Sequence, residues 1–301
     1  MTDLVRILTD QKEELEGIDF AEQIARPEEN RLSLKSKVAQ VVIGVRRSGK
    51  STICQRAIIN SGQPFGYVNF DDERLDGMTA KDFDKILKAL YRINGDFSIL
   101  YLDEAQDVKG WHLFVNRMLR SGMKVVLTGS NANLLSSDLV TYLTGRYNEI
   151  SLYPFSFYEY CVSKSVDTLS QSTKKQALRL KALDEYMVSG GLPEVVLNNE
   201  GKDYVMSLLN AIITKDIKNR HNIRYIETLQ EIANCLLDKY CQEISFNNIA
   251  KEFLEKCDWS VKTACIMLIK QVSKEEAIEK GDKKISNTSQ EKNKSTKVKD
   301  M

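Results

Sequence analysis

The stretch Gly44-Val45-Arg46-Arg47-Ser48-Gly49-Lys50-Ser51 has the spacing G-x-x-x-x-G-K-[ST] and follows the apolar run 38–43, which predicts a buried strand. The glycines allow the backbone to curl so that successive N–H groups point at phosphate oxygens, and Lys50 adds a cation for the β- and γ-phosphates. The Ser51 hydroxyl is available to Mg²⁺, and a helix predicted from Ser51 to about Ile59 presents its positive N-terminal end to the same anion. Unless the match arose by chance in a Gly/Lys loop, this stretch predicts a nucleoside-triphosphate site.

Length and composition are those of an ordinary globular protein. The 301 residues suffice for about two domains, with 42% apolar and 28% charged residues. The net charge of +1 neither favours nor excludes nucleic acid. Six scattered cysteines without a C-x-x-C pair favour reduced thiols over zinc or disulfides. The acidic N-terminus and the lack of a long apolar stretch predict neither a signal peptide nor a membrane span, so we expect a cytoplasmic location.

Strand-like and helix-like segments alternate from residue 38 onward. Strands are predicted at 38–43, 66–70, 98–102, 124–129 and 147–152, with helices at 51–59, 80–91 and 111–119. This alternation predicts an α/β fold whose parallel sheet is covered on both faces. The ligand is then expected at the carboxyl ends of the strands.

An acidic pair, Asp103-Glu104, ends the third predicted strand. At the strand tip, the Asp103 carboxylate would reach the Mg²⁺ held by Ser51. Glu104, one residue further on, would orient or deprotonate a water in line with the γ-phosphate. The alternative is that the pair caps the following helix, but the phosphate-type loop at Gly44–Ser51 favours the catalytic interpretation.

Five further positions are candidates with open alternatives. Ser130 and Asn131 follow the fourth strand and would contact the γ-phosphate or the attacking water, or form an ordinary turn or N-cap. Arg146 precedes the fifth strand and would neutralise the transferring phosphoryl group, within the chain or from a neighbouring subunit, or pair with Glu149 at the surface. Arg47, like Arg46, would contact nucleotide or remain solvated.

Six motifs carry a family resemblance, and a shorter one at 213–217 extends it. They are Gly-Val-Arg-Arg-Ser-Gly-Lys-Ser-Thr (44–52), Leu-Tyr-Leu-Asp-Glu-Ala-Gln (100–106), Leu-Thr-Gly-Ser-Asn-Ala (127–132), Leu-Thr-Gly-Arg (143–146), Pro-Phe-Ser-Phe-Tyr-Glu-Tyr (154–160) and Gly-Gly-Leu-Pro-Glu-Val-Val (190–196). Over roughly residues 30–250 the chain resembles the prokaryotic AAA+-type ATPases that have a large uncharacterised C-terminal domain.

The resemblance implies a P-loop NTPase fold of the AAA+ (ASCE) type, with sheet order 5-1-4-3-2, a helical lid and a helical C-terminal region. It implies Mg²⁺-ATP as the ligand, bound by the whole loop 44–52 including Thr52. By the same resemblance Asp103 and Glu104 are the Mg²⁺-binding and water-activating acids, Ser130-Asn131 is the sensor region, and Arg146 is an arginine-finger candidate.

Five segments are expected along the chain: a helical lead-in (1–36), the ATPase domain (37–155), a helical lid region (156–240), a small segment of helix–turn–helix length (241–279) and a disordered tail (280–301). Members of the resembled family continue into an α/β domain like a restriction endonuclease, so by that comparison this chain is truncated. Residues 257–277 instead look like the C-terminal helical segment of N-acetylmuramic acid 6-phosphate etherases. Etherase activity is not expected, because nothing resembles that enzyme's sugar-phosphate domain.

Three functions are compatible with these patterns. The first is Mg²⁺-dependent ATP binding and hydrolysis, with Lys50 neutralising phosphate and Glu104 activating water. The second is a nucleotide-gated switch with little turnover. The third is a transcriptional regulator that uses residues 245–270, although the helix available to read DNA, 260–269, is mostly apolar. A DNA or protein partner and a homo-oligomer are possible, and no membrane partner is expected.

Overall fold

The computed structural model describes residues 2–20, 23–130, 143, 145–214 and 226–239. The chain falls into two compact units, Met1–Val205 and Met206–Met301. The strands of the first unit are β1 (Ala39–Gly44), β2 (Phe65–Asn69), β3 (Ile99–Asp103), β4 (Lys124–Ser130) and β5 (Tyr147–Leu152). The helices are α1 (Thr2–Glu16), α2 (Lys50–Asn60), α3 (Phe83–Asn94), α4 (Trp111–Arg120), α5 (Phe157–Ser163), α6 (Thr173–Ser189), α7 (Pro193–Asn198), α8 (Lys202–Ala211), which runs into the second unit, and α9 (Ile226–Asp238) within it.

The five strands form one sheet in the order β2-β3-β4-β1-β5, with every pair parallel. This confirms the α/β P-loop NTPase fold and the order 5-1-4-3-2. Every residue of β1 and β3 is buried, because helices cover both faces of the sheet. The register pairs Gly44 with both Ser130 and Leu152, and Asn69 with Asp103. The carboxyl ends of the strands therefore meet at one edge.

Alternate residues of the strands enter two separate cores. On one face Val41 and Ile43 pack with α1, α3 and α4, where the Phe83 and Phe114 rings stack at 4.3 Å. On the other face Val42 packs with α2, in a core that includes the stacked rings of Tyr67 and Tyr101. The period of two that separates these cores follows from strand geometry.

The first 36 residues are less helical than expected. α1 ends at Glu16, immediately before Gly17, and a short 3-10 helix follows only at Pro27–Arg31. Glycine weakens a helix, and Pro27 has no N–H to donate within one. Within the region 202–240, two separate helices are described, α8 and α9. The small segment 241–279, the tail 280–301 and Asn131 lie outside the described residues, and the five segment boundaries stay predictions.

Helices α5, α6 and α7, which we call the post-sheet helices, share a small apolar core with the segment that follows β5. Its buried members are Phe155, Tyr160, Ala182 and Val196. α5 begins with a capping box between Ser156 and Glu159. The turn between α6 and α7 is fixed to Phe155, whose N–H donates to the Gly191 carbonyl at 2.6 Å and whose carbonyl accepts from Tyr186 at 2.8 Å.

We expect Gly191→Ala to lower the melting temperature by several degrees. A Cβ at this position would lie 2.1 Å from the Phe155 carbonyl oxygen, so the backbone must shift. Overpacking of this kind costs roughly 1–3 kcal/mol, which corresponds to about 2–4 °C per kcal/mol in a chain of this size. Gly201→Ala is the control, since its Cβ would meet nothing within 4 Å. Equal melting temperatures for the two variants would contradict the close contact.

None of the helices within the described ranges has the length and apolar character that a bilayer crossing requires.

Candidate functional site

The loop between β1 and α2 has the backbone of a phosphate-binding loop. α2 begins at Lys50, and Gly49 before it has φ +92°. Arg47 also has a positive φ, of 63°, which is uncommon for a residue with a side chain. Gly44 approaches β5 so closely that a Cβ would lie 2.2 Å from the Leu152 carbonyl oxygen. The sequence thus places glycine where the chain needs it, and the free N-terminus of α2 faces the loop.

The Lys50 side chain lies inside this loop. The residue is only 5% exposed, and its Nζ donates to the Val45 carbonyl at 3.1 Å. A buried ammonium is costly unless it has polar partners. Lys50 therefore presents a positive charge at the centre of the loop, in a position to exchange a carbonyl for an anion.

Asp103 and Ser51 meet across the sheet edge. The Ser51 hydroxyl donates to Asp103 Oδ1 at 3.0 Å, and the Thr128 hydroxyl donates to the same oxygen. Asp103 is 4% exposed, and burial raises the pKa of its carboxyl from 3.8 to about 6. The Thr128 hydrogen bond opposes that shift, whereas the neighbouring charge of Glu104 adds to it. Asp103 is thus a carboxylate at pH 7 or above.

In metal-free protein we expect Asp103→Asn to become increasingly stabilising as the pH rises. Because the folded pKa lies above the unfolded one, the stability contributed by this carboxyl is fully present below pH 3.8 and is lost as the pH passes through about 6. The amide avoids that loss, which is on the order of 2–3 kcal/mol. Urea unfolding in EDTA at pH 4.5 and 7.5 measures it.

The control for this pH experiment is Asp84→Asn, since that carboxylate is exposed and pairs with Arg117 at the surface. A surface pair contributes little, so its variant should follow the wild-type pH dependence. The raised pKa is contradicted if Asp103→Asn and wild type differ by the same free energy at both pH values.

Glu104 adopts a left-handed backbone, with φ 52°, directly after β3. Its N–H donates to Thr128 Oγ1 at 3.2 Å, and its carboxylate accepts a hydrogen bond from the Gln106 amide. Such a conformation persists only where the surroundings impose it, and it is frequent at functional sites. Thr128 therefore fixes both acidic residues. Thr128 was not predicted as a site residue, although it stands in the Leu-Thr-Gly-Ser motif.

Two adjoining cavities open beside the loop. The first, of about 380 Å³, is lined by Arg46, Arg47, Gly49, Lys50, Ser51, Thr52, Asn69, Asp71, Asp103, Glu104, Pro193 and Glu194. The second, of about 400 Å³, is lined by Asp19, Gln23, Ile24, Arg26, Ser48, Gly49, Thr52, Ile53, Phe155, Pro193, Glu194, Leu197 and Asn198. The first is charged and the second is partly apolar, and they share Gly49, Thr52, Pro193 and Glu194.

Most of the predicted loop residues therefore surround one space. Arg47 reaches across it, with Nη1 3.3 Å from Glu194 Oε1 on α7. Glu194 was not predicted, although its motif Gly-Gly-Leu-Pro-Glu was recognised. The backbone of Ser130 lies beside Gly44 at the same edge of the sheet, so its position fits the prediction. Nothing described bears on its side chain.

Arg146 is placed at the opposite end of the sheet. Its carbonyl accepts from Ala39 N–H at the first residue of β1, five residues before Gly44, a separation of about 17 Å along a strand. The guanidinium contacts Asn116, and Glu149 instead accepts from Ser151. The structure does not bring Arg146 to the phosphate cavity of its own chain, which corrects that alternative. A role from a neighbouring subunit stays a prediction.

Two known families match different parts of the chain. Residues 36–161 match a family described as an AAA domain. Residues 180–267 match a domain of unknown function, DUF8612. The five-stranded sheet, β1 to β5, lies within the first match. The second match includes part of segment 257–277, whose resemblance to etherases stays a prediction, as does a nuclease-like domain.

Curated relatives are themselves uncharacterised. The chain is 34% identical over 233 residues to the uncharacterised protein MJ1544 of Methanocaldococcus jannaschii, covering 75% of this chain and 52% of that protein. It is 33% identical over 223 residues to an uncharacterised protein of Haemophilus influenzae, covering 70% and 54%. The chain thus spans about half the length of these relatives.

The solved structures that match this chain have low sequence identity and low structural similarity to it. The Walker-type ATPase PABY2304 of Pyrococcus abyssi is 18% identical, with a TM-score of 0.44, over 81% of this chain and 97% of that one. AMPPCP-bound DnaA from Aquifex aeolicus is 17% identical, with a TM-score of 0.35, over 83% and 90%.

Proposed function

We propose that this chain binds and hydrolyses ATP with Mg²⁺ at the carboxyl edge of its sheet. The observation that supports this best is the contact between Ser51 and Asp103 in a cavity also lined by Lys50 and Glu104. Phosphoryl transfer uses a cation, oxygen ligands for a metal ion and a second carboxylate around one space.

The donors at this edge suit Mg²⁺. Ser51 supplies a hydroxyl and Asp103 a carboxylate, which are the hard oxygen ligands that Mg²⁺ prefers. The two oxygens lie 3.0 Å apart. The cavity beside them has room for phosphate and water oxygens. When bound, the ion would neutralise phosphate charge and polarise the transferred group. Thr128 would hold the Asp103 carboxylate in place for it.

Lys50 and the loop amides bind and orient the phosphates. The Lys50 ammonium exchanges the Val45 carbonyl for a phosphate oxygen, while the N-terminus of α2 supplies N–H groups. Glu104 lines the same cavity and accepts the proton of an attacking water at its carboxylate. Its present partner, the Gln106 amide, bonds to one of the two carboxylate oxygens, Oε2.

The second cavity supports a nucleoside rather than inorganic polyphosphate as the ligand. Its walls include the apolar side chains of Ile24, Ile53 and Phe155, with the amide of Asn198 beside them. A base and a ribose need this combination of apolar surface and a few polar groups. Because Gly49 and Thr52 line both cavities, one ligand could extend through them. Adenine as the base rests on the AAA-domain match.

Titration with a fluorescent ATP analogue, followed by displacement with ATP or GTP in Mg²⁺ and then in EDTA, tests the binding. Phosphate release at saturating ATP tests the hydrolysis. We expect ATP to displace the analogue at micromolar concentrations, GTP to displace it less well, and EDTA to weaken both. Absence of binding at millimolar nucleotide would overturn the proposal.

A nucleotide-gated switch is the second candidate. Two contacts favour it: Gln106 occupies the carboxylate of Glu104, and Arg47 joins the loop to α7 through Glu194. In this candidate both contacts slow turnover until a partner changes them, so a chain lacking its partner would bind ATP and hydrolyse it rarely. Tight binding with less than one turnover per site would support this candidate, and steady multiple turnover by the isolated chain would exclude it.

A DNA or protein partner, a homo-oligomer and the cytoplasmic location remain parts of the proposal. The residues 245–270 that would contact DNA lie outside the described ranges. Fluorescence anisotropy against duplex DNA at low salt tests that partner, because phosphate contacts are strongest there. A flat titration would remove the DNA-associated alternative.

A further inference from the structure

Arg26, in the lead-in before β1, is a buried arginine with contacts to three parts of the chain. Its side chain is 4% exposed. Nη1 donates to the Ser48 carbonyl at 3.3 Å and Nη2 donates to the Tyr153 carbonyl at 3.0 Å. The guanidinium also lies 5.0 Å from the centre of the Phe155 ring. With its contact to Glu159, this side chain therefore joins the phosphate-type loop, the segment between β5 and α5, and α5 itself.

Glu159 on α5 holds the guanidinium in this place. Its side chain is 7% exposed, and Oε1 accepts from Arg26 Nε. The other oxygen, Oε2, accepts from both the N–H and the hydroxyl of Ser156, each at 2.7 Å. Glu159 is therefore fixed by its own helix cap, and it fixes Arg26 in turn.

Stability alone is a weak explanation for this pair. Removing two charges from water costs several kcal/mol each, and apolar replacements of buried ion pairs are often neutral or stabilising. The geometry that the pair imposes is a better explanation. In a planar trans peptide the C=O and the following N–H point in opposite directions. Arg26 holds the Ser48 carbonyl, so the N–H of Gly49 points away from the guanidinium.

We infer that Arg26, held by Glu159, is a positioning residue that orients the Ser48–Gly49 peptide for phosphate binding and couples this orientation to the post-sheet helices. The inference rests on the proposed nucleotide function. The peptide that Arg26 orients is held inside the protein, because Ser48 is fully buried and its carbonyl contacts Arg26. Phe155 extends the coupling, because the turn before α7 is bonded to it.

The test substitutes Arg26→Lys and Glu159→Gln, with Arg56→Lys as the matched control. Arg56 is also a buried arginine that pairs with a glutamate, Glu29, and donates to a backbone carbonyl, yet it has no described contact with the loop 44–49. Lysine keeps the charge but cannot reproduce a planar fork with several donors. For each variant we measure the melting temperature, the Kd for the fluorescent ATP analogue, and kcat and KM.

Both Arg26→Lys and Glu159→Gln should raise Kd and KM about tenfold while kcat at saturating ATP changes less than threefold, because the Glu104 machinery is untouched. Arg56→Lys should lower the melting temperature to a similar degree without this change in Kd. If Arg26→Lys or Glu159→Gln fails to fold, the other variant still decides the question.

The inference is wrong if wild type binds ATP and if Arg26→Lys and Glu159→Gln lower only the melting temperature, as the control Arg56→Lys does. In that case the proposed function still stands. If wild type itself binds no nucleotide, the proposed function is overturned and the inference with it.

Discussion

Lys50→Ala should reduce nucleotide binding by on the order of 100-fold or more, the cost of leaving a buried anion without its cation. The Lys50 ammonium is almost fully enclosed, and it stands where the loop and the first turn of α2 converge. Water screens a charge poorly in such a place, so the truncation removes a strong attraction rather than a surface contact. Titration with the fluorescent ATP analogue measures the loss.

Lys85→Ala is the matched control for this experiment. Lys85 is also a helical lysine, but its side chain is 65% exposed and pairs with Asp82, the residue before α3. We expect its Kd to equal that of wild type. Circular dichroism should show both variants folded, since Lys50 enters no apolar core. If the two variants bind nucleotide equally, the anion does not occupy the loop at Gly44–Ser51.

Glu104→Gln is expected to lower kcat for phosphate release by roughly 10²–10⁴-fold, the usual contribution of a general base. The amide has the same shape and still bonds to polar neighbours, but it cannot take a proton from water. Kd for ATP should change by only a few fold, because Lys50, Ser51 and Asp103 are retained. Phosphate release at saturating ATP, measured beside Kd, separates the two effects.

The control here is Glu73→Gln, an exposed glutamate on the short helix after β2. Its kcat should match wild type. An unchanged kcat in Glu104→Gln would show that another group activates the water. A large loss of affinity would instead place Glu104 among the groups that bind the nucleotide.

The fold could be predicted from the sequence because the strands β1 and β3 are buried on both faces. Such strands form short continuous apolar runs, and β1 and β3 differ from prediction by a single residue at each end. The loop and the Asp103-Glu104 pair were predictable for a related reason. Each is a contiguous motif whose chemistry follows from its own residues and from the strand beside it.

Contacts between distant segments could not be predicted in this way. Arg47 and Glu194 are 147 residues apart, and Arg26 and Glu159 are 133 apart. Their meeting depends on how the post-sheet helices pack, which no local pattern encodes. The position of Arg146 within its own chain differs from that prediction for another reason. Its place before β5 was correct, but in a parallel sheet the start of every strand lies opposite the ligand edge.

The sheet order also has a consequence for synthesis on the ribosome. β1, which carries the phosphate-type loop, lies between β4 and β5, whereas β2 and β3 are neighbours both in sequence and in space. As the nascent chain emerges from its N-terminus, β2 and β3 can pair early, but β1 has no partner until β4, residues 124–130, has been translated, and no second partner until β5, residues 147–152. The first strand to be synthesised is thus completed last, and a ribosome stalled before β5 would display one unpaired edge of β1, a strand that is apolar apart from Gln40, to chaperones.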